Sequence, residues 1–466
     1  MNIQSILNDV PDYNYFLTVE EMDQSSRALA AEFPGTVEIF EAGRSRQGHP
    51  VLCLKIGNGP LNALVFGCPH PNEPIGAMML EYFSRRLAVD TKLREELGFT
   101  WYIVKCSDPD GTKLNEGWFR GPFTPFNYSR NFFRPASHQQ VEWTFPITYK
   151  RLNFQSPIPE TKALMNIIDS ARPDLIYSLH NAGFGGAYWY ISDPAPELYD
   201  QFRSFAALNN VPLSLGEPEM PYAEKFAEAV YRMPNSRDTY DYYEKFTDDD
   251  PAALITAGTS SIDYAKSQKP DTFGIVCKVP YFYDPRIENT SPSDMVRKDA
   301  ILKSCDVSEK VYGFADEKMV LIKGHLSQGN PFRVTLENFL SNGPKGLKAK
   351  RRWAETSPEC QEKATVAEKF DNLQVSRFYN MLILGLLLRA AEYELKNLEG
   401  QAVTSQAYPL LERVKEEALQ ELHAWNAELE KDLDYSVIPI KSLVGVQLGS
   451  ALAAALYVKT SRTGGH

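Results

Sequence analysis

No Cys-x-x-Cys pair, no basic leader running into an apolar stretch and no surplus of positive charge occur in this chain of 466 residues. Its cysteines, Cys53, Cys68, Cys106, Cys277, Cys305 and Cys360, are scattered, several within apolar strand-like runs, which excludes a disulfide framework and points to buried thiols in a reducing compartment. The opening MNIQSILNDVPDYNYF reads as neither a signal nor a transit peptide, so the expected location is cytoplasmic. A net charge of -11 excludes general nucleic-acid binding, which needs Lys and Arg to neutralise phosphates. The local basic cluster Lys345, Lys348, Lys350, Arg351, Arg352 reads as a solvated face. Leu443 to Val458 is apolar but interrupted by Gln447 and Ser450 and is short for a membrane span, so a buried helix and no membrane partner are expected. HExxH, GxSxG and Walker-type loops are all absent.

What is present is a regular alternation of apolar strands and amphipathic helices. Thr18 to Phe33 has helical spacing, and Thr36 to Gly57 alternates like a hairpin around GRSRQGHP. NALVFGCPH (Asn62 to His70) reads as strand then loop, and PIGAMMLEYFSRRLA as the helix after it. The pattern returns in Phe99 to Gly111, in ETKALMNIIDSA followed by the strand Asp174 to Gly186, and in Thr272 to Phe282. This predicts an α/β fold: a mixed, largely parallel sheet sandwiched between helices, with ligands collecting at the carboxyl ends of its strands. Beyond about residue 290 the strand pattern fades. Ser291 to Leu326, Ala364 to Leu398, Ser405 to Leu433 and Ile440 to Lys459 carry helical spacing, so residues 1–290 form the predicted catalytic domain and 291–466 a helical C-terminal region. The apolar faces of those helices need cover from the α/β domain, from one another or from a second copy of the chain.

In His70-Pro71-Asn72-Glu73 an imidazole and a carboxylate share one turn at the end of an apolar strand, where one cation could take both. A catalytic zinc needs a third protein ligand. His180 is the candidate, because it sits at the end of another apolar run and opens the Gly-rich NAGFGG. Here the sequence resembles the carboxypeptidase A-type zinc metallopeptidase family. GCPHPNEPIGA is similar to that family's first metal-binding segment and SLHNAGFGG to its second. Four more segments agree in order: EAGRSRQGHPVLCLKIG with the leading hairpin, DPDGTKLNEGWFRG with the loop of the carbonyl-polarising arginine, FNYSRNFF with the carboxylate grip, and GTSSIDYA with the side-chain pocket. The resemblance spans roughly residues 15 to 290.

It implies Zn2+ held by His70, Glu73 and His180, and a peptide or small amide substrate with a free carboxylate. It further implies Arg120 steadying the developing oxyanion, Arg130 binding the terminal carboxylate with Ser129 in place of the usual Asn, and Ile262 at the base of an apolar pocket. The family's mobile tyrosine should fall near Leu254 or Ile255 and is missing. The largest departure is Lys278, which occupies the position of the family's general-base glutamate. An ammonium ion accepts no proton, and its pKa would have to fall from about 10.4 toward about 7 to 8 for Lys278 to act as a base. Glu217 and Glu219 in GEPEMPYAEKF, and Glu288 just past the last strand, could in principle supply a substitute carboxylate, although an ordinary surface acid is the preferred reading of each. Three functions follow: a zinc carboxypeptidase-like hydrolase with reduced or altered activity, an inactive zinc-binding pseudopeptidase that serves as a binding protein, and a zinc enzyme of non-hydrolytic acyl chemistry in which Lys278 stabilises negative charge.

Overall fold

A computed structural model describes residues 1–398 and 406–463 of the chain. Helix α1 (Val19–Glu32) begins with a capping box in which Thr18 and Glu21 satisfy each other's backbone N–H groups. It leads into the antiparallel pair β1 (Val37–Arg44) and β2 (Pro50–Ile56). Strand β3 (Leu61–Phe66), helix α2 (Ile75–Val89) and strand β4 (Phe99–Val104) follow, then helix α3 (Pro159–Ala171) and the long strand β5 (Leu175–Phe184). The first region is completed by β6 (Tyr188–Ile191), α4 (Pro196–Leu208), β7 (Lys225–Ala227), β8 (Val230–Arg232), α5 (Ser261–Gln268) and β9 (Phe273–Tyr283).

The strands form one mixed sheet in the order β1-β2-β4-β3-β5-β9-β6-β8-β7, parallel through its centre from β4 to β9. Every residue of β5 is buried, as expected for a strand with partners on both edges and helices on both faces. Its side chains alternate between those faces. Tyr177 donates to the carbonyl of Gln447 and Leu179 packs on Gly76 of α2, whereas Ser178 turns the other way, toward Glu142 and the start of α5.

The C-terminal region contributes α6 (Arg297–Ile322), α7 (Pro331–Thr356), a π-turn over Asp371–Val375 that runs into α8 (Ser376–Asn397), α9 (Tyr408–Lys431), the short strand β10 (Ser436–Val437) paired with β9, and α10 (Ile440–Thr463). Helix α10 is long and apolar enough to cross a membrane, and it is mostly buried in this fold. It lies on the sheet, where Gln447 donates to the carbonyl of His180 at 2.8 Å and Ser450 accepts from the Trp189 indole at 2.9 Å. One apolar core includes Phe66, Leu179 and Val279 of the sheet together with Phe378, Leu384 and Leu448 of the C-terminal helices.

The sheet and the helical region match expectation, with three differences. Helix α7 is not among the expected helices. It runs through Gly343-Pro344, a pair that reads as a break, and Gly343 lets α7 approach the ring of Tyr312 on α6, where a Cβ would lie 2.3 Å from the ring. Short strands also occur past residue 290, in the ribbon Pro292–Val296 with Lys363–Thr365 and in β10. The helix expected over Ser405 to Leu433 is Tyr408–Lys431, and Ser405 lies outside the described residues.

Candidate metal centre and its cleft

The loop after β3 turns sharply. Gly67 fits where a Cβ would meet the carbonyl of Lys105 at 2.7 Å, and Cys68 adopts a left-handed φ of 50°. The turn carries His70 and Glu73 back over the sheet. It is pinned by Asn72, whose amide donates to the Tyr128 hydroxyl at 2.8 Å and whose carbonyl accepts from Tyr281 at 3.0 Å. Neighbouring strand β5 supplies His180 from mid-strand, not from its end, because β5 continues to Phe184.

His70, Glu73 and His180 are all buried, and their candidate ligand atoms lie within 4.8 Å of one another. Glu73 Oε2 faces His180 Nδ1 at 2.8 Å and accepts from the Asn181 N–H at 3.1 Å. On the other side of the His180 ring, Nε2 meets the Ser178 hydroxyl at 2.9 Å, and that hydroxyl donates to Glu142 at 2.9 Å. Glu142 is itself held by the N–H and hydroxyl of Ser261. A Ser178 oxygen that donates to Glu142 accepts from Nε2–H, which assigns the imidazole tautomer and leaves the Nδ1 lone pair toward Glu73. Two such electron-rich atoms at 2.8 Å call for a proton or a cation between them.

The residues fit zinc on three grounds. Two imidazole nitrogens and a carboxylate are a known catalytic ligand set. His70 Nδ1 is buried with no hydrogen-bond partner among the described residues. The electrostatics also keep the ligands in their binding forms: burial, then the charge of Arg134, holds His70 well below its usual pKa and therefore neutral. Burial opposes ionisation of Glu73, but its surroundings, with the Arg134 guanidinium against the carboxylate, outweigh it and hold the carboxyl far below its usual value.

A cavity of about 490 Å³ opens on this centre. Its floor comes from the sheet and its loops, with Asn72, Glu73, Arg134, Asn181, Tyr188 and Lys278. Its roof comes from the C-terminal helices, with Ser304 and Ser308 of α6, Lys350 of α7, Asp371 of the π-turn and Tyr379 of α8. Tyr379 accepts from the Gly183 N–H at 3.1 Å, and Arg389 ties α8 down by donating to the carbonyls of Leu114, Asn131 and Phe132.

The cavity sorts the expected site residues. Lys278 lines it, beside His180 in the parallel register with β5 and opposite Tyr188 of β6, and forms a 2.5 Å salt bridge with Glu219. Arg120 does not. It lies on the surface, paired with Glu21 and stacked over the Tyr15 ring at 3.9 Å. Arg130, at the end of the short helix Pro125–Asn131, turns away from the cavity to Glu392 of α8. Ser129 is fully buried under α8, with Gly385 against its carbonyl. Ile262 is buried against Gly274 and does not line the cavity.

Arg134, unremarked in the sequence, is the one guanidinium lining the cavity among the described residues. It donates to Glu73 and, at 3.2 Å, to Asn72. The Ser178–Glu142 support also went unread, although Ser178 shares a strand face with His180 at a spacing of two. Glu219 and Glu217, read as surface acids, both line the cavity, Glu217 bound by Arg297, while Glu288 accepts from the Leu213 N–H.

The sequence pattern described as zinc carboxypeptidase matches residues 22–281, more than half of the chain. The chain belongs to the zinc carboxypeptidase family. Within that family it is similar to zinc carboxypeptidase A 1 of Anopheles gambiae, at 33% identity over 143 residues that span 28% of this chain and 32% of that protein. Among solved structures it is similar to a carboxypeptidase A from Helicoverpa armigera, with 16% identity, coverage of 60% of this chain and 69% of that one, and a TM-score of 0.39. A murein-tripeptide amidase from Escherichia coli O157 matches at 18% identity over 55% of this chain and 87% of its own, with a TM-score of 0.27.

Proposed function

We propose that this zinc carboxypeptidase-family chain hydrolyses an amide bond next to a free carboxylate in a small substrate. The observation that carries the reading is the joining of the His70, Glu73 and His180 cluster to a single roofed cavity that contains Arg134, Lys278 and Lys350. About 490 Å³ is the volume of a small-molecule site, and Arg134, Lys278 and Lys350 on walls that also carry carboxylates are the groups a substrate carboxylate would pair with. His70, Glu73 and His180 would hold the zinc. Bound there, zinc supplies Lewis acidity toward the scissile carbonyl and lowers the pKa of water. Arg134, already against Glu73, stands where it can receive charge developing on the carbonyl oxygen, and a donor in such a position is worth about 2.7 to 4 kcal/mol. This role passes to Arg134 because Arg120 is committed to Glu21 and Tyr15 outside the cavity.

The test is elemental analysis combined with hydrolysis of N-acyl amino acids by the wild type, Arg134→Ala and Arg120→Ala. Stoichiometric zinc, turnover by the wild type, a loss of about 10²- to 10³-fold in Arg134→Ala and near-normal Arg120→Ala are expected. The second reading, a zinc-holding protein that binds without cleaving, is favoured by the commitment of Lys278 to a salt bridge. It predicts tight uptake of acyl amino acids with no turnover.

A further inference from the structure

Hydrolysis of an amide needs a group that takes a proton from water and returns it to the departing nitrogen. Lys278 does not qualify: in its salt bridge it is the donor, and an ammonium has no lone pair. The carboxylates lining the cavity are Glu73, Glu217, Glu219 and Asp371. Glu73 belongs to the metal cluster. Glu217 is held by Arg297 through two contacts, at 2.9 and 2.6 Å, and by Asn372 at 2.9 Å. Asp371 accepts from the Glu217 N–H at 2.8 Å; burial, then Glu217, raises it to about 7, and the other charges acting on it are Lys350 and Glu368 of the C-terminal region.

Glu219 remains. Its carboxylate lines the cavity and accepts from Lys278, with the Tyr190 hydroxyl beside it, and Lys278, Glu73 and His180 of the metal side are the charges that act on it most strongly. Although the side chain is 37% exposed, the cavity walls around it oppose its ionisation, but Lys278 outweighs this and keeps the carboxyl below its usual value. The loop that presents it is fixed from the C-terminal region. Arg297 at the start of α6, together with Asp371 and Asn372 of the π-turn, grips Glu217, two residues away, and Gly216 packs directly against Asp371.

We propose that Glu219 is the catalytic carboxylate that moves the proton, that Lys278 holds it toward the metal cluster, and that Arg297 and Asn372 are positioning residues for its loop. The inference rests on the hydrolase reading above. As the water oxygen bonds to the carbonyl carbon, one water proton passes to Glu219. As the C–N bond breaks, Glu219 passes that proton to the amine, leaving a carboxylic acid and an amine; the remaining proton moves from acid to amine, so the products end as carboxylate and ammonium with no net change in the enzyme.

The experiment compares wild type, Glu219→Gln, Arg297→Met and the double variant Glu219→Gln/Lys278→Glu. The readouts are zinc content, affinity for a phosphonate analogue of an N-acyl amino acid by calorimetry, and kcat and KM on the amide. Glu219→Gln is expected to lose about 10²- to 10⁴-fold in kcat with zinc content and analogue affinity kept. Arg297→Met should lower kcat more than it raises KM, and the double variant, with a carboxylate restored on β9, should regain at least about tenfold over Glu219→Gln. Unchanged kcat in Glu219→Gln would overturn the inference while the hydrolase reading stands, and loss of zinc or of analogue binding in that variant would make Glu219 a structural support instead. A wild type inactive on every amide would remove the hydrolase reading and this inference with it.

Discussion

Ser178 illustrates how much of the centre depends on side chains that never touch substrate. It lies between His180 Nε2 and Glu142, and the direction of its hydroxyl proton selects the ring nitrogen left for a metal. Replacing Ser178 with Ala should lower zinc affinity about 10- to 100-fold, measured by competition with a chromophoric chelator, with thermal stability of the zinc-loaded protein nearly unchanged. His70 and Glu73 were legible in the sequence because their spacing and their place after an apolar strand are local facts. Arg134 was not, and Glu219 was only one of three acids that could stand in for the missing base. Arg134 lies four residues beyond the motif arginine Arg130, and only the way the chain leaves the helix Pro125–Asn131 decides which of the two guanidiniums enters the cavity. Glu219 becomes recognisable only when its loop is seen folded against the C-terminal helices.

Among the elements, the strands were the easiest to read, since β5 and β9 are continuous apolar runs buried along almost their whole length. Their ends were read less well: His180 is mid-strand because the edge positions of β5 find partners well past it, in Asn181, Ala182 and Phe184. Helix α7 was hidden by Gly343-Pro344, local punctuation that packing against α6 overrides. Helix α8 contains a sharp constraint of its own. Gly385 lies so close to the Ser129 carbonyl that a Cβ would sit 1.9 Å from the oxygen. Gly385→Ala gains about 1 kcal/mol of helix propensity, yet forcing α8 off the main chain below it should destabilise the protein by roughly 2 kcal/mol net. A fall in the urea midpoint with unchanged slope would register this, and a midpoint at or above wild type would show that α8 has room to move.

For the molecule as a whole, the sequence divides near residue 290 by its change of pattern, while side-chain packing runs across that point. Phe378 lies against Tyr128 and Phe282, and α10 covers the sheet beneath the metal loop. A chain cut after residue 290 would expose those surfaces, so it should be insoluble or fail to bind zinc. Full-length protein should lose near-ultraviolet and far-ultraviolet circular dichroism together on heating. A soluble, zinc-binding fragment would show instead that the first region stands alone. The side of the sheet on which the C-terminal helices fall was not legible, because an amphipathic pattern shows that a face needs cover and not what covers it.

The hydrogen bond from Gln447 to the carbonyl of His180 has a consequence for how the protein is made. A ribosome releases the two histidines and Glu73 long before it releases α10, and for that interval the nascent sheet lacks the layer that backs it. The three residues of the cluster are therefore made early, while the helix that backs His180 is made last, so a zinc ion that needs the finished cluster would be captured at the closing stage of folding rather than at its start.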